Sequence, residues 1–158
     1  MSLDRDIAML SRIPLFNELT TEQLRLLAFS AVRLELAPGK VLFRENAVAQ
    51  SGYIVAFGGI ELSVGDGTDK RILTTCEAGS LIGEMALFIE TVRPATATAI
   101  VSSEVLEVDR KLVRRMLNEY PHVALRLRAT LSDRLQATVA ELTKVRDQLQ
   151  NVGKPARR

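Results

Sequence analysis

The stretch from Gly79 to Ala99, GSLIGEMALFIETVRPATATA, decides how this chain is read. It carries Gly79 and Gly83, passes through Glu84-Met85-Ala86-Leu87, and reaches Arg93 before an alternating Ala/Thr run. Glycine tolerates backbone conformations that a β-carbon would penalise, so the chain can turn sharply or bring its amides close to a ligand. The four residues from Glu84 are good helix formers, enough for one short turn. A short helix entered from a glycine directs unpaired N–H groups outward, which suits an anion. Arg93 adds a planar, permanently charged fork that matches phosphate oxygens. Glu84 does not suit a purely anionic ligand, but a carboxylate beside a phosphate site makes sense if the ligand also carries hydroxyls, as a ribose does.

Gly83-Glu84-x-Ala86-Leu87 followed by Arg93-x-Ala95-Thr96 resembles the phosphate-binding cassette of cyclic-nucleotide-binding domains. That family includes the sensor half of the catabolite activator protein and the regulatory subunits of protein kinase A. Both half-motifs occur in the family's order and spacing, which a lone Gly-Glu or Arg-x-Ala-Thr would not match. The resemblance implies that Arg93 pairs with the cyclic phosphate, that backbone N–H groups of Ala86 and Ala95 complete the cradle, and that Glu84 accepts from the ribose 2′-hydroxyl. The candidate binding residues are therefore Ile82, Gly83, Glu84, Met85, Ala86, Arg93, Pro94, Ala95 and Thr96. Members that favour cGMP commonly carry a hydroxyl residue after the arginine. Pro94 has none, which tilts the expected ligand toward cAMP, with cGMP as the other candidate.

The flanking sequence supplies a fold for this site. Leu3, Ile7, Leu10 and Ile13 recur at helical spacing until Pro14 stops the helix. Thr20-Thr21-Glu22-Gln23 reads as a capping box ahead of Leu24, Leu27 and Ala28, the apolar face of a second helix. From Val32 the period changes to two, and short strands follow at Val32–Leu36, Val41–Phe43, Tyr53–Val55, Ile60–Val64, Ile72–Thr75, Thr96–Val101 and Val105–Val108. Gly58-Gly59 breaks one pair, and Gly65-Asp66-Gly67-Thr68-Asp69 marks a hairpin. Regularly spaced short strands indicate a sandwich or barrel. The resemblance narrows this to an eight-stranded β-roll in a mainly β, α+β fold. Asn46 stands where the family often has Gly and can adopt the left-handed conformation that turn needs. Leu81 replaces a frequent aromatic.

From Arg110 the period returns to 3.6, with Leu112, Val113, Met116 and Leu117 on a short helix ending before Tyr120-Pro121. A long helix is expected from His122 to Leu149, roughly 40 Å at 1.5 Å per residue. Leu131, Leu135, Thr138, Leu142, Val145 and Leu149 form a coiled-coil seam on it, and such a stripe is expected to pack on a second copy of the chain as a homodimer. The expected organisation is N-terminal helices over 1–31, the β-roll over 32–109 with the cassette at 79–99, C-terminal helices over 110–151 and a basic tail over 152–158. Arg126, Arg128 or Leu131 could close over the base as a lid.

Composition sets the remaining bounds. Apolar residues at 47% and charged residues at 25% describe a folded globular chain rather than a disordered one. The formal charge is +2, and Lys154, Arg157 and Arg158 alone hold three positive charges, so no nucleic-acid-binding surface is indicated. Cys76 is the only cysteine, excluding an internal disulfide and favouring a reducing, cytoplasmic setting. It is most simply a small core residue. No run approaches membrane-spanning length, so no membrane contact is expected. His122 is the only histidine, and a metal-dependent enzyme on a similar roll would need several inward ligands. No metal site and no catalytic set are expected, so the chain reads as a binding module rather than an enzyme. The catabolite-activator type continues into a helix-turn-helix, whereas this chain ends at Arg158. A stand-alone sensor or the excised sensor of a channel, kinase or transcription regulator is expected. The competing reading is a β-roll that dimerises through its coiled coil and no longer binds a nucleotide.

Overall fold

The structure, a computed structural model, describes residues 3–17 and 19–119. Helix α1 (Leu3–Ser11) carries Asp4 and Asp6 in its first turn, where carboxylates suit the helix dipole. Pro14–Phe16 then forms a single 3-10 turn. Helix α2 (Thr21–Ser30) opens on the capping box that the sequence predicts. The Thr20 hydroxyl accepts from Gln23 N at 3.2 Å, and Thr20 N donates to Gln23 Oε1 at 2.9 Å.

Ten strands follow: β1 (Val32–Leu36), β2 (Val41–Phe43), β3 (Val48–Ala49), β4 (Ser51–Phe57), β5 (Gly59–Val64), β6 (Arg71–Glu77), β7 (Leu81–Ile82), β8 (Thr91–Val92), β9 (Thr96–Ala99) and β10 (Ser103–Asp109). They form two four-stranded antiparallel sheets, ordered β1-β10-β4-β7 and β2-β9-β5-β6, with β3 paired to β8 as a small third ribbon. The period-two reading names seven strands and the described residues form ten, because β3, β7 and β8 have only two residues each, too few to show a period. The strand expected over 96–101 stops at Ala99, and Ile100 and Val101 are exposed at the bend that follows. Asn46 takes φ 70°, the left-handed conformation its turn requires. Helix α3 (Arg110–Glu119) closes the described chain. The long helix, its coiled-coil seam, the lid residues and the basic tail lie outside the described residues.

Two apolar clusters arise from alternation along the central strands. Tyr53 and Val55 of β4 and Val105 of β10 point between the sheets with Leu36, Ile60, Ile82, Ala97 and Ala99. Ile54, Leu106 and Val108 point the other way, onto Leu10, Leu24, Leu27, Val113 and Met116 of the three helices. Leu87, just after Gly83 in sequence, joins this second cluster and fastens the Gly79–Ala99 stretch to α3. Val32 departs from the expected apolar face of β1 and is exposed, whereas Leu36 is buried. Arg33 on β1 pairs with Asp6 of α1 at 2.6 Å and with Glu104 of β10, tying the first helix to the sheet. Among the described residues no helix is long and apolar enough to cross a membrane.

Candidate functional site

The site is built on a sharp reversal at Gly83. Its φ of 77° lies in the left-handed region, and it leads directly into a single 3-10 turn over Glu84–Leu87. That turn is tighter than an α-helical one, and the Ala86 N–H, which the resemblance assigns to the ligand cradle, donates to Gly83 O at 3.1 Å. Ala86 and Leu87 are buried, while Gly83, Glu84 and Met85 are half-buried on the outer side.

Arg93 faces this turn from just beyond β8. Its main chain is clamped to the turn before β3, with Arg93 N donating to Ala47 O and Asn46 N donating to Arg93 O, each at 2.8 Å. This explains the left-handed Asn46, which brings the two segments together. The side chain is only 3% exposed. Its guanidinium lies over the Phe43 ring, 4.3 Å from the centroid, and 5.3 Å from that of Tyr53, both within cation–π range. Nη2 donates to Ser51 O at 2.8 Å. Nη1 is buried and, among the described residues, has no hydrogen-bond partner. Nor does Arg93 form an ion pair with any described residue. Burial lowers its pKa below the ordinary guanidinium value, an effect offset in part by Tyr53 and Glu107.

A buried cation with an unpaired donor is costly, because desolvation of the charge is not repaid by a protein acceptor. Arg93 also lines two clefts. One, of about 310 Å³, is walled by Gly83, Glu84, Met85, Ala86, Arg93 and Pro94 together with Ala49, Thr91 and Val92. The other, of about 300 Å³, is walled by Phe43, Val48, Gln50, Ser51, Tyr53, Arg93, Glu107 and Asp109. Both are at the small end of small-molecule sites. An anion entering beside Gly83 would meet the open face of the guanidinium. Among the described residues no three His, Cys, Asp or Glu side chains group to hold a metal ion.

Six of the nine residues expected at the site, Gly83, Glu84, Met85, Ala86, Arg93 and Pro94, line the first cleft. Ile82 is buried between the sheets opposite Tyr53, and Ala95 is buried as well. The Thr96 hydroxyl is engaged elsewhere, accepting from Glu45 N at 2.9 Å. Sequence reading missed Ala49, Thr91 and Val92, since the β3–β8 ribbon was not recognised. It also missed Phe43, Ser51, Tyr53 and Glu107 around the guanidinium, which only the strand pairing brings together.

The model of the cyclic nucleotide-binding domain family matches residues 33–120. The chain belongs to that family. It is 35% identical over 131 residues to the cyclic AMP receptor protein of Thermus thermophilus, an alignment covering 82% of this chain and 60% of that one. Among solved structures, a cyclic nucleotide-binding-like protein from Brucella abortus is 41% identical, with a TM-score of 0.67 covering 72% of this chain and 97% of that one. The N-terminal domain of a transcriptional regulator from Streptomyces coelicolor is 31% identical, with a TM-score of 0.77 covering 85% and 94%. The chain spans less than two thirds of the length of the curated relatives it matches first, 60% and 44%.

Proposed function

We propose that this domain is a cyclic-nucleotide sensor that takes cAMP in preference to cGMP. The observation that carries the reading is Arg93, a buried guanidinium with an unpartnered Nη1 directed at a glycine turn. A cyclic phosphate supplies the missing acceptor, and Glu84 in the same cleft supplies one for a ribose hydroxyl. Pro94 offers no hydroxyl to a guanine, and the Thermus relative is named for cyclic AMP.

The same reading assigns a route for the response. Leu87 ends the cassette turn and packs in one cluster with Val113 and Met116 of α3, so a shift of the turn on ligand binding is felt by the helix that leads into the C-terminal segment. That segment would carry the lid over the base and the seam of a homodimer. The domain binds and relays, with no catalytic step assigned to it and a cytoplasmic setting proposed for it.

Thermal denaturation with cAMP, cGMP and non-cyclic AMP tests the ligand class. A ligand at 100 times its Kd stabilises the folded state by about 2.7 kcal/mol. The expected order of melting temperatures is cAMP above cGMP above AMP, and equal melting with and without every nucleotide contradicts the reading.

A further inference from the structure

Arg93 forms no ion pair with any described residue, although the carboxylate of Glu107 lines a cleft with it. Glu107 sits on β10 directly opposite Tyr53 of β4 in the antiparallel register. Ser51 lies two residues before Tyr53 on the same strand, hence on the same face. All three line the cleft of about 300 Å³ that Arg93 also lines. Ser51 is bonded in two directions. Its hydroxyl donates to Glu107 Oε2 at 2.9 Å, and its carbonyl accepts from Arg93 Nη2 at 2.8 Å.

A buried arginine beside a free carboxylate closes with it by default, because the planar fork and the carboxylate form two parallel charge-assisted bonds. Arg93 does not do so. The Ser51 hydroxyl donates to Oε2 of Glu107, and the Tyr53 phenol opposite has its pKa raised by burial first and by this carboxylate next. We propose that Ser51 is a positioning residue: its hydroxyl holds Glu107 back from Arg93, so that the guanidinium stays available to an anionic ligand instead of being neutralised from within. Glu107 is then an internal competitor for the ligand's place, and Ser51 sets how strongly it competes. The ligand taken here is the cyclic nucleotide, so the inference rests on the functional reading above, while the Ser51–Glu107–Arg93 relationship is readable without it.

The test is a double-mutant cycle read by calorimetric titration with cAMP. Ser51→Ala frees Glu107 to pair with Arg93 and is expected to weaken binding about three- to tenfold, a coupling typical of groups in one network. Glu107→Gln keeps an acceptor of the same shape without the charge, and is expected to bind at least as tightly as the parent. The Ser51→Ala/Glu107→Gln double variant is expected to recover parental affinity to within about twofold. A merely structural loss from Ser51→Ala would not be repaired by a second substitution at Glu107. Parental affinity in Ser51→Ala, or no recovery in the double variant, overturns the inference. Nitrogen-15 NMR of the Arg93 side chain in nucleotide-free protein gives a second readout. Ser51→Ala is expected to shift the Nη resonances and slow guanidinium rotation, and Glu107→Gln to reverse both; unchanged resonances overturn the inference. If the parent binds neither cyclic nucleotide, the functional reading fails, and this second readout decides the inference alone.

Discussion

Gly83 and Arg93 are fitted to each other: a β-carbon added at Gly83 would come within 3.0 Å of Arg93 Nη1, and the backbone there is left-handed. One glycine therefore does two things, reversing the chain ahead of the Glu84–Leu87 turn and leaving space for the guanidinium beneath it. Replacing it with alanine combines two penalties. The left-handed conformation costs about 1–2 kcal/mol for a residue with a β-carbon, and the guanidinium must leave its position. Gly83→Ala is expected to lower the melting temperature and to weaken cAMP binding at least about tenfold, or 1.4 kcal/mol. Calorimetric melting and titration of the same preparation check both. Unchanged affinity would show that Arg93 does not need the space.

Arg93 should be kept for the ligand rather than for the fold. Its burial removes a full charge from water, and its return is one backbone hydrogen bond and two ring faces. A buried charge without an ion-pair partner carries a desolvation cost that an apolar group of similar length does not. Arg93→Met retains a stem against Phe43 and Tyr53, and is expected to unfold in urea within about 1 kcal/mol of the parent, against the 3–5 kcal/mol that breaking a buried ion pair costs. Its affinity for cAMP should fall below detection in the same range of concentrations. A large loss of stability would mean that the guanidinium is a structural element.

Stability and binding should separate in the opposite sense at Thr20. The capping box there is complete and lies on α2, away from both clefts. Thr20→Ala is expected to cost about 1 kcal/mol, within the 0.5–2 kcal/mol range of such caps, and to leave the Kd for cAMP unchanged. Urea unfolding and titration distinguish this from a cap that also positions the site.

The pH dependence has a definite sign. Burial raises the pKa of the Cys76 thiol above the ordinary thiol value, and burial followed by Glu107 raises that of the Tyr53 phenol above the ordinary phenol value. Both groups are neutral when protonated and hold their protons more tightly when folded. Their contributions are fully present below the unfolded values and are lost as pH climbs through the folded ones. Stability is expected to decline from about pH 9 upward, since the unfolded chain then binds fewer protons than the folded one. Tyr53→Phe should make that decline shallower above pH 10 when urea midpoints are compared from pH 8 to 10.5.

Much of this arrangement was legible in the sequence because the signals were local. Thr20 and Gln23 are three residues apart, and their side chains can satisfy each other only at a helix start. The Gly83–Leu87 and Arg93–Thr96 motifs each span a handful of residues, so both edges of the first cleft could be named from the chain alone. What was not legible depends on pairing between distant segments. Ser51 and Glu107 are 56 positions apart and meet only through the β4–β10 register. Ala49, Thr91 and Val92 belong to a ribbon of two-residue strands, which no alternating pattern can announce. The hydrogen bond from Ala86 N to Gly83 O follows from the 3-10 geometry of the turn, which the residue types alone do not announce.

The central claim, that Arg93 holds a cyclic phosphate, is tested most directly by calorimetric titration of the chain and of Arg93→Ala with cAMP and with cGMP. Saturable binding is expected, tighter for cAMP than for cGMP, and weakened at least about tenfold, some 1.4 kcal/mol, by Arg93→Ala. Folded, nucleotide-free protein that takes up neither nucleotide, or an Arg93→Ala variant that binds as the parent does, would contradict it.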